Sequence, residues 1–293
     1  MGSEYWEYAN WITKVTLYLS VACIIGGLFC YFLFYRYLDF QKKILHYIGF
    51  STCLGFFSSL LGLGVLIGSF ADAGILGMFD TNYAKIILST ATGMVHVVRI
   101  TCFALLIALM GGIFTHHKVR MYMWEKVSFF FLLIPIIYSF SQLGHSANLS
   151  IFPQILLSVH VLVMSLWMGS LYPLCMATLK ISGLELQQRI HLFGRIASVM
   201  MVILLLCGLS VALLLIKHVD VLLTTAYGYG FILKLCLVAV ILLLAAVNKW
   251  YLTPRLEIPT FAKKLTYAIF FEILIGLSIL ATTGYITTVV GIE

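Results

Sequence analysis

Three residues in one apolar run have the types and spacing to hold a metal ion. His160, Met164 and Met168 recur at i, i+4 and i+8 within residues 151–179. At 3.6 residues per turn they share one helix face, and Trp167 borders it. Imidazole and thioether are the ligands that soft Cu(I) prefers. Neutral methionine also binds a monovalent soft ion without adding buried negative charge. Mg²⁺ or Ca²⁺ would need several oxygens, and the apolar runs supply almost no carboxylates. A methionine stripe at this spacing serves equally as ordinary packing. His160 on the stripe, and His145 in the short turn SQLGHSANLS (141–150) just before it, favour a site. His96 lies at a similar depth, roughly 14 Å along a second run, and with Met94 could join the set. His96 and His160 on different helices also suit axial ligation of a b-type haem. Against that, no run carries the paired histidines of a cytochrome b bundle, and no CxxCH is present.

Ionisable groups inside apolar runs are costly and call for partners or a wet path. Arg99 lies near the middle of the third run. Lys234 lies about one and a half turns into the seventh, shallow enough to snorkel. Glu272 lies about two turns into the eighth, within reach of Arg195 or of Asn248 and Lys249 at the end of the seventh. A structural pair and a proton relay are both open for it. His46, His116, His117, His191 and His218 fall near run ends or in gaps and read as interfacial.

What positions these residues follows from composition. Of 293 residues, 62% are hydrophobic and 10% charged. Soluble domains carry about 25% charged residues, and a chain this apolar cannot give a globule a polar exterior. The fold class is all-α and polytopic. Eight runs, roughly 11–35, 44–70, 86–114, 124–140, 151–179, 191–216, 229–251 and 265–290, predict eight transmembrane helices in a single domain over 1–293. The fourth is the shortest and contains Pro135. No connection is long enough for an ATPase domain, and no GxxxxGK[ST] occurs, so no nucleotide is expected. Lys and Arg sit in short gaps rather than on a gathered surface, which argues against nucleic acid. The seven cysteines form no CxxC pair, so neither a disulfide framework nor a zinc knuckle is expected. Nothing in the chain predicts an enzyme.

The gaps after the odd-numbered runs hold thirteen basic residues: Arg36, Lys42, Lys43, Lys118, Arg120, Lys126, Lys180, Arg189, Arg195, Lys249, Arg255, Lys263 and Lys264. The other side holds only Lys14, Lys85 and Lys217, with an excess of acidic residues. The positive-inside rule then places both termini outside and the basic gaps in the cytoplasm. The first run follows MGSEYWEYAN, which lacks a basic n-region and a cleavage site, and is expected to be a retained helix.

The residues also carry a family resemblance. GHSANLSIFPQILLSVHVLVMSLWMGSL (144–171) resembles the signature of the copper resistance D (CopD/PcoD) family. That signature has a Gly-His turn, a helix opening on His and a Trp followed by glycine. Gly144, His145, His160, Trp167 and Gly169 stand at those positions, with Ser170 replacing a second glycine. HLFGRIASVMMVILLLCGLSVAL is similar to the family's next helix, with its step at Cys207–Gly208. TTAYGYGFILKLCLVAVILLLAAVNKWYLTPRL is similar to the segment holding Tyr227, Gly228, the membrane Lys234, Asn248 and Pro254. Glu272 occupies the family's acidic position. The resemblance covers 141–290, and the first half matches only in span number and topology. That half has no Met-rich loop and no exposed Cys-Met cluster.

The resemblance implies an eight-helix protein of the bacterial inner membrane, both termini periplasmic, that transports or transfers copper and works beside a periplasmic copper chaperone. Copper would arrive near His145 and pass to His160, Met164 and Met168, with His96 as a further candidate ligand. Arg99 and Lys234 would orient helices, bind an anion or limit cation leakage. The alternatives are a haem redox protein, a module delivering copper for oxidase assembly, and a proton-coupled carrier of an organic substrate using Glu272 and Arg99.

Overall fold

A computed structural model describes residues 2–71, 73–116, 119–144, 147, 149–215 and 221–290. His145, with Asp72, His117, Lys118, Lys217 and His218, lies outside the described residues. Among the described residues the chain is all-α, and eight helices are long and apolar enough to cross a membrane. Helices are what such runs must form, because hydrocarbon offers no partner for a free N–H or C=O.

The helices are α1 (Gly2–Leu33), α2 (Leu38–Ala71), the short α3 (Thr81–Leu88), α4 (Ala91–Thr115), α5 (Met123–Tyr138), α6 (Ile151–Lys180), α7 (Gly183–Leu215), α8 (Val221–Thr224), α9 (Ala226–Val247) and α10 (Pro259–Tyr285). All eight expected runs are present, with shifted ends. The third breaks in two: Thr90 accepts a hydrogen bond from the Gly93 N–H at 3.1 Å and starts α4 afresh. Asp80 caps α3 by accepting from the Asn82 and Tyr83 N–H groups at 2.8 and 3.0 Å. Hydropathy alone does not see such a break, because the capping residues are only two or three among many apolar neighbours. The fourth run continues past Pro135 and tightens into a 3₁₀ turn over Ser139–Gln142. α9 loosens at its end into a π turn, Asn248–Leu252.

α1 is the hub and packs on α2, α6 and α10. Its crossing with α6 is close because Gly26 faces the Gly169 backbone and Gly169 faces the backbone of Ala22 and Cys23. A Cβ on Gly169 would fall inside the Ala22 carbonyl. Small residues permit this approach in a membrane, where close van der Waals packing replaces the hydrophobic drive. At the other side of the bundle α4 packs on α2 and α5, while α6 packs also on α7 and α10. The two chain ends meet at one end of the molecule. Trp11 Nε1 donates to the Ala281 carbonyl at 2.9 Å, and Lys14 Nζ donates to Thr287 and Thr288 at 2.9 and 3.2 Å. The outer faces of α7 and α9 expose Val199, Leu206, Leu209, Leu235 and Leu243, as lipid contact requires.

Candidate metal path and polar cavity

α6 presents its polar-thioether face to the seam between α7 and α10. The His160 ring lies beside the Leu204 backbone and against Gly208 of α7, where a Cβ would stand 3.2 Å from its Cε1. His160 Nδ1 is buried and has no hydrogen-bond partner among the described residues. Lys234 of α9 is half-buried and lies within electrostatic reach of the ring. Two turns along, Met168 is buried against Gly276 of α10, its Sδ 3.6 Å from where a Cβ would sit. Met164 stands between them, half-buried and packed on the core.

The spacing decides what this face can do. His160 and Met164 are separated by roughly 6 Å of helix, which two side chains can close around one ion. His160 and Met168 are roughly 12 Å apart along the helix, too far for comfortable ligation of the same ion. The three residues therefore suit a sequence of stations better than a single cage. Among the described residues no group of three His, Cys, Asp or Glu side chains is placed to hold a metal.

The path ends at a cavity. A space of about 310 Å³ opens between α6, α7, α9 and α10. Trp167 and Leu171 wall one side, Phe193 and Met201 another, and Asn248, Lys249 and Glu272 supply the polar groups. Met168 and Trp167 are adjacent in the chain, and Gly276 is one turn beyond Glu272. The inner end of the α6 face thus adjoins the head of the cavity. Glu272 is only 4% exposed, and its Oε1 accepts from Asn248 Nδ2 at 2.8 Å. Of the two partners considered from sequence, Asn248 is taken, while Arg195 is exposed on α7. Lys249 Nζ instead donates to Ser198 Oγ at 2.5 Å.

His96 lies elsewhere. Its ring packs against Gly62 of α2, where a Cβ would be 3.4 Å from Cε1, and Met94 beside it is exposed. Because α4 packs on α2 and α5, the structure does not carry His96 or Met94 to the α6 face. A haem held by His96 and His160 would need both rings in one pocket. They face Gly62 of α2 and Gly208 of α7, in separate seams of the bundle, so the residues do not fit that group. Arg99, 3% exposed, donates Nε to Ser139 Oγ at 2.7 Å and Nη2 to the Ser139 carbonyl at 3.2 Å. Its guanidinium also lies 4.7 Å from the Phe140 ring centre. It joins α4 to the turn after α5.

Sequence reasoning missed Gly208 and Gly276 as the seats of His160 and Met168. The sequence places Lys249 among the gap charges and as a candidate partner of Glu272, and its bond to Ser198 is not legible there. The Cys207–Gly208 step was visible as part of the resemblance, but only packing shows that it faces an imidazole.

Residues 187–286 match the family model for CopD, copper resistance protein D. The match covers about one third of the chain. No curated protein and no solved structure matches the chain. The CopD match spans most of α7 and all of α9 and α10, and includes Lys234, Asn248 and Glu272. It therefore supplies most of the cavity wall. His160, Met164, Trp167 and Met168 lie before the CopD-matched region, on the helix that packs against it.

Proposed function

We propose that this protein moves copper across, or hands it over at, a bacterial inner membrane, taking the ion as Cu(I) from the outer side. The observation that carries the reading is the inward face of α6. An imidazole nitrogen without a partner and two thioethers descend it at one-turn intervals and end beside the Glu272 cavity. An unpaired polar atom in hydrocarbon is costly, and a soft cation supplies the missing partner without requiring a counter-charge. The partial CopD match supports a transport role at a membrane, and the copper assignment extends it.

The ion is captured near His145, is held between His160 and Met164, and passes to Met168 by exchange of one weak ligand for the next. Conduction needs sites tight enough to be occupied and weak enough to be left. Lys234 beside His160 serves the second condition, since a like charge shortens the ion's stay. The cavity at the basic end then receives it. The positive-inside rule makes that end cytoplasmic and the joined termini periplasmic. A periplasmic copper chaperone is the natural donor. Arg99, remote from this face, holds helices together.

The test is metal content of purified protein after loading with Cu(I) and washing. His160→Ala and Met164→Ala are each expected to lower bound copper roughly tenfold or more, since even outer-shell losses cost a metal site that much. Copper retained in both variants removes the site. Uptake into proteoliposomes separates a carrier from a transfer module, which binds the ion but does not pass it.

A further inference from the structure

Glu272 and Asn248 form a pair whose atoms do not match in the ionised state. The carboxylate accepts one hydrogen bond, from Asn248 Nδ2, through Oε1. Asn248 Oδ1 is buried and has no donor among the described residues, although the side chain is 8% exposed. Asn248 Oδ1 therefore lies on the residue bonded to the Glu272 carboxylate with no donor of its own. A buried acceptor left so costs about 1–3 kcal/mol. A protonated carboxyl mends it. A carboxylic acid and a primary amide can bond reciprocally, the acid O–H donating to Oδ1 while Nδ2–H donates to Oε1.

Among the described residues no cation is bonded to the Glu272 carboxyl. From the turn after α9 comes Lys249, whose ammonium donates to Ser198 rather than to Glu272. α6 and α7 bring Trp167, Leu171, Leu174, Phe193, Ser198 and Met201 to the same cavity, none of them charged. α1 carries no carboxylate or cation between Val15 and Leu33, only tyrosine and cysteine. α9 itself adds Lys234, Tyr227, Tyr229 and Cys236, all toward its other end or its middle. The turn at Thr253–Arg255 brings Arg255, which stacks on the Tyr251 ring at 4.3 Å. α10 has Lys263, Lys264 and Tyr267 before Glu272 and Tyr285 after it. The carboxyl lines the cavity together with Lys249 and Thr253 from the turn after α9.

We propose that Glu272 is a proton-exchange site, with Asn248 as its switching partner, that holds a proton when no cation is near and releases it to cavity water when one reaches Met168. The proton leaves the Glu272 oxygen for water, and the carboxylate left behind balances the arriving monovalent charge. The charge in this part of the membrane stays constant through the exchange. The second half of the proposal rests on the copper reading. The first half, a proton held by Glu272 against Asn248, does not.

Infrared difference spectra of chelator-treated, metal-free protein, recorded across neutral pH, test the first half. Wild-type protein is expected to show a carboxylic-acid C=O band that titrates, is lost in Glu272→Gln and is shifted in Asn248→Leu. Identical wild-type and Glu272→Gln spectra overturn it. If Glu272→Gln does not purify as a monodisperse protein, an unshifted band in Asn248→Leu overturns it instead. Cu(I) added to metal-free wild type is then expected to bleach the band and release one proton per ion bound. A band that persists with copper bound overturns the exchange. Absence of bound copper with the band present removes the copper route and the exchange together, and leaves the proton site standing.

Discussion

Arg99 shows how a buried charge is kept without an opposite charge. Its guanidinium spends its donors on one residue, Ser139, through both hydroxyl and carbonyl, and lays its face near Phe140. Hydrogen bonds to a charged group are worth about 1.5–3 kcal/mol each, and a desolvated cation–π contact about 2. The carbonyl bond survives any side-chain change. Ser139→Ala is therefore expected to cost about 1.5–3 kcal/mol, seen as a lower thermal midpoint in detergent, with copper content unchanged. Loss of copper in that variant would show that this corner acts on the α6 face after all. The same principle separates Arg99 from Glu272. The arginine's donors reach acceptors, whereas the carboxyl's partner has an acceptor to spare.

At the scale of the helix, glycine sets which side chains meet. Gly208 leaves room for the His160 ring, and Gly276 leaves room for the Met168 thioether. Gly208→Leu puts a good helix former in α7 but occupies the space where the ring rests. It is expected to abolish copper binding as fully as His160→Ala while leaving the protein folded, checked by elution profile and metal analysis on the same sample. Copper retained at wild-type level would mean the ring does not need this seat. Gly169 is a different case. Its missing Cβ lets the α1 and α6 backbones touch, so a larger residue there strains the hub itself. The break before α4 belongs to this scale too. A threonine cap divides a stretch that hydropathy joins, and the α4 face carrying His96 packs toward α2.

For the whole molecule, the shared location of the chain ends is a matter of packing, while the side on which they lie is a matter of charge. Trp11 and Lys14 bind the last helix directly. By the positive-inside rule the thirteen basic residues of the opposite gaps would put that side in the cytoplasm. In a cysteine-free background, Asn82→Cys is expected to react with a membrane-impermeant maleimide added to intact spheroplasts. Ser182→Cys is expected to react only after permeabilisation. The reverse pattern would invert the molecule and with it the direction proposed for copper.

The sequence by itself determined the eight spans, the side that carries the charge, and the candidate face of α6. These depend on composition and on a helical period, both of which are local. The resemblance read from the residues extended over 141–290, and the family match bears out its later part, 187–286. Tertiary structure alone decided which neighbour each polar residue meets. It set His160 on Gly208 and His96 on Gly62, gave Glu272 to Asn248 rather than Arg195, and turned Lys249 from a gap charge into part of a cavity wall. The reason is that helices in lipid have nearly uniform apolar surfaces. Their order around the hub and their rotation are chosen by close approach at a few small residues, and no single helix carries that information within its own period.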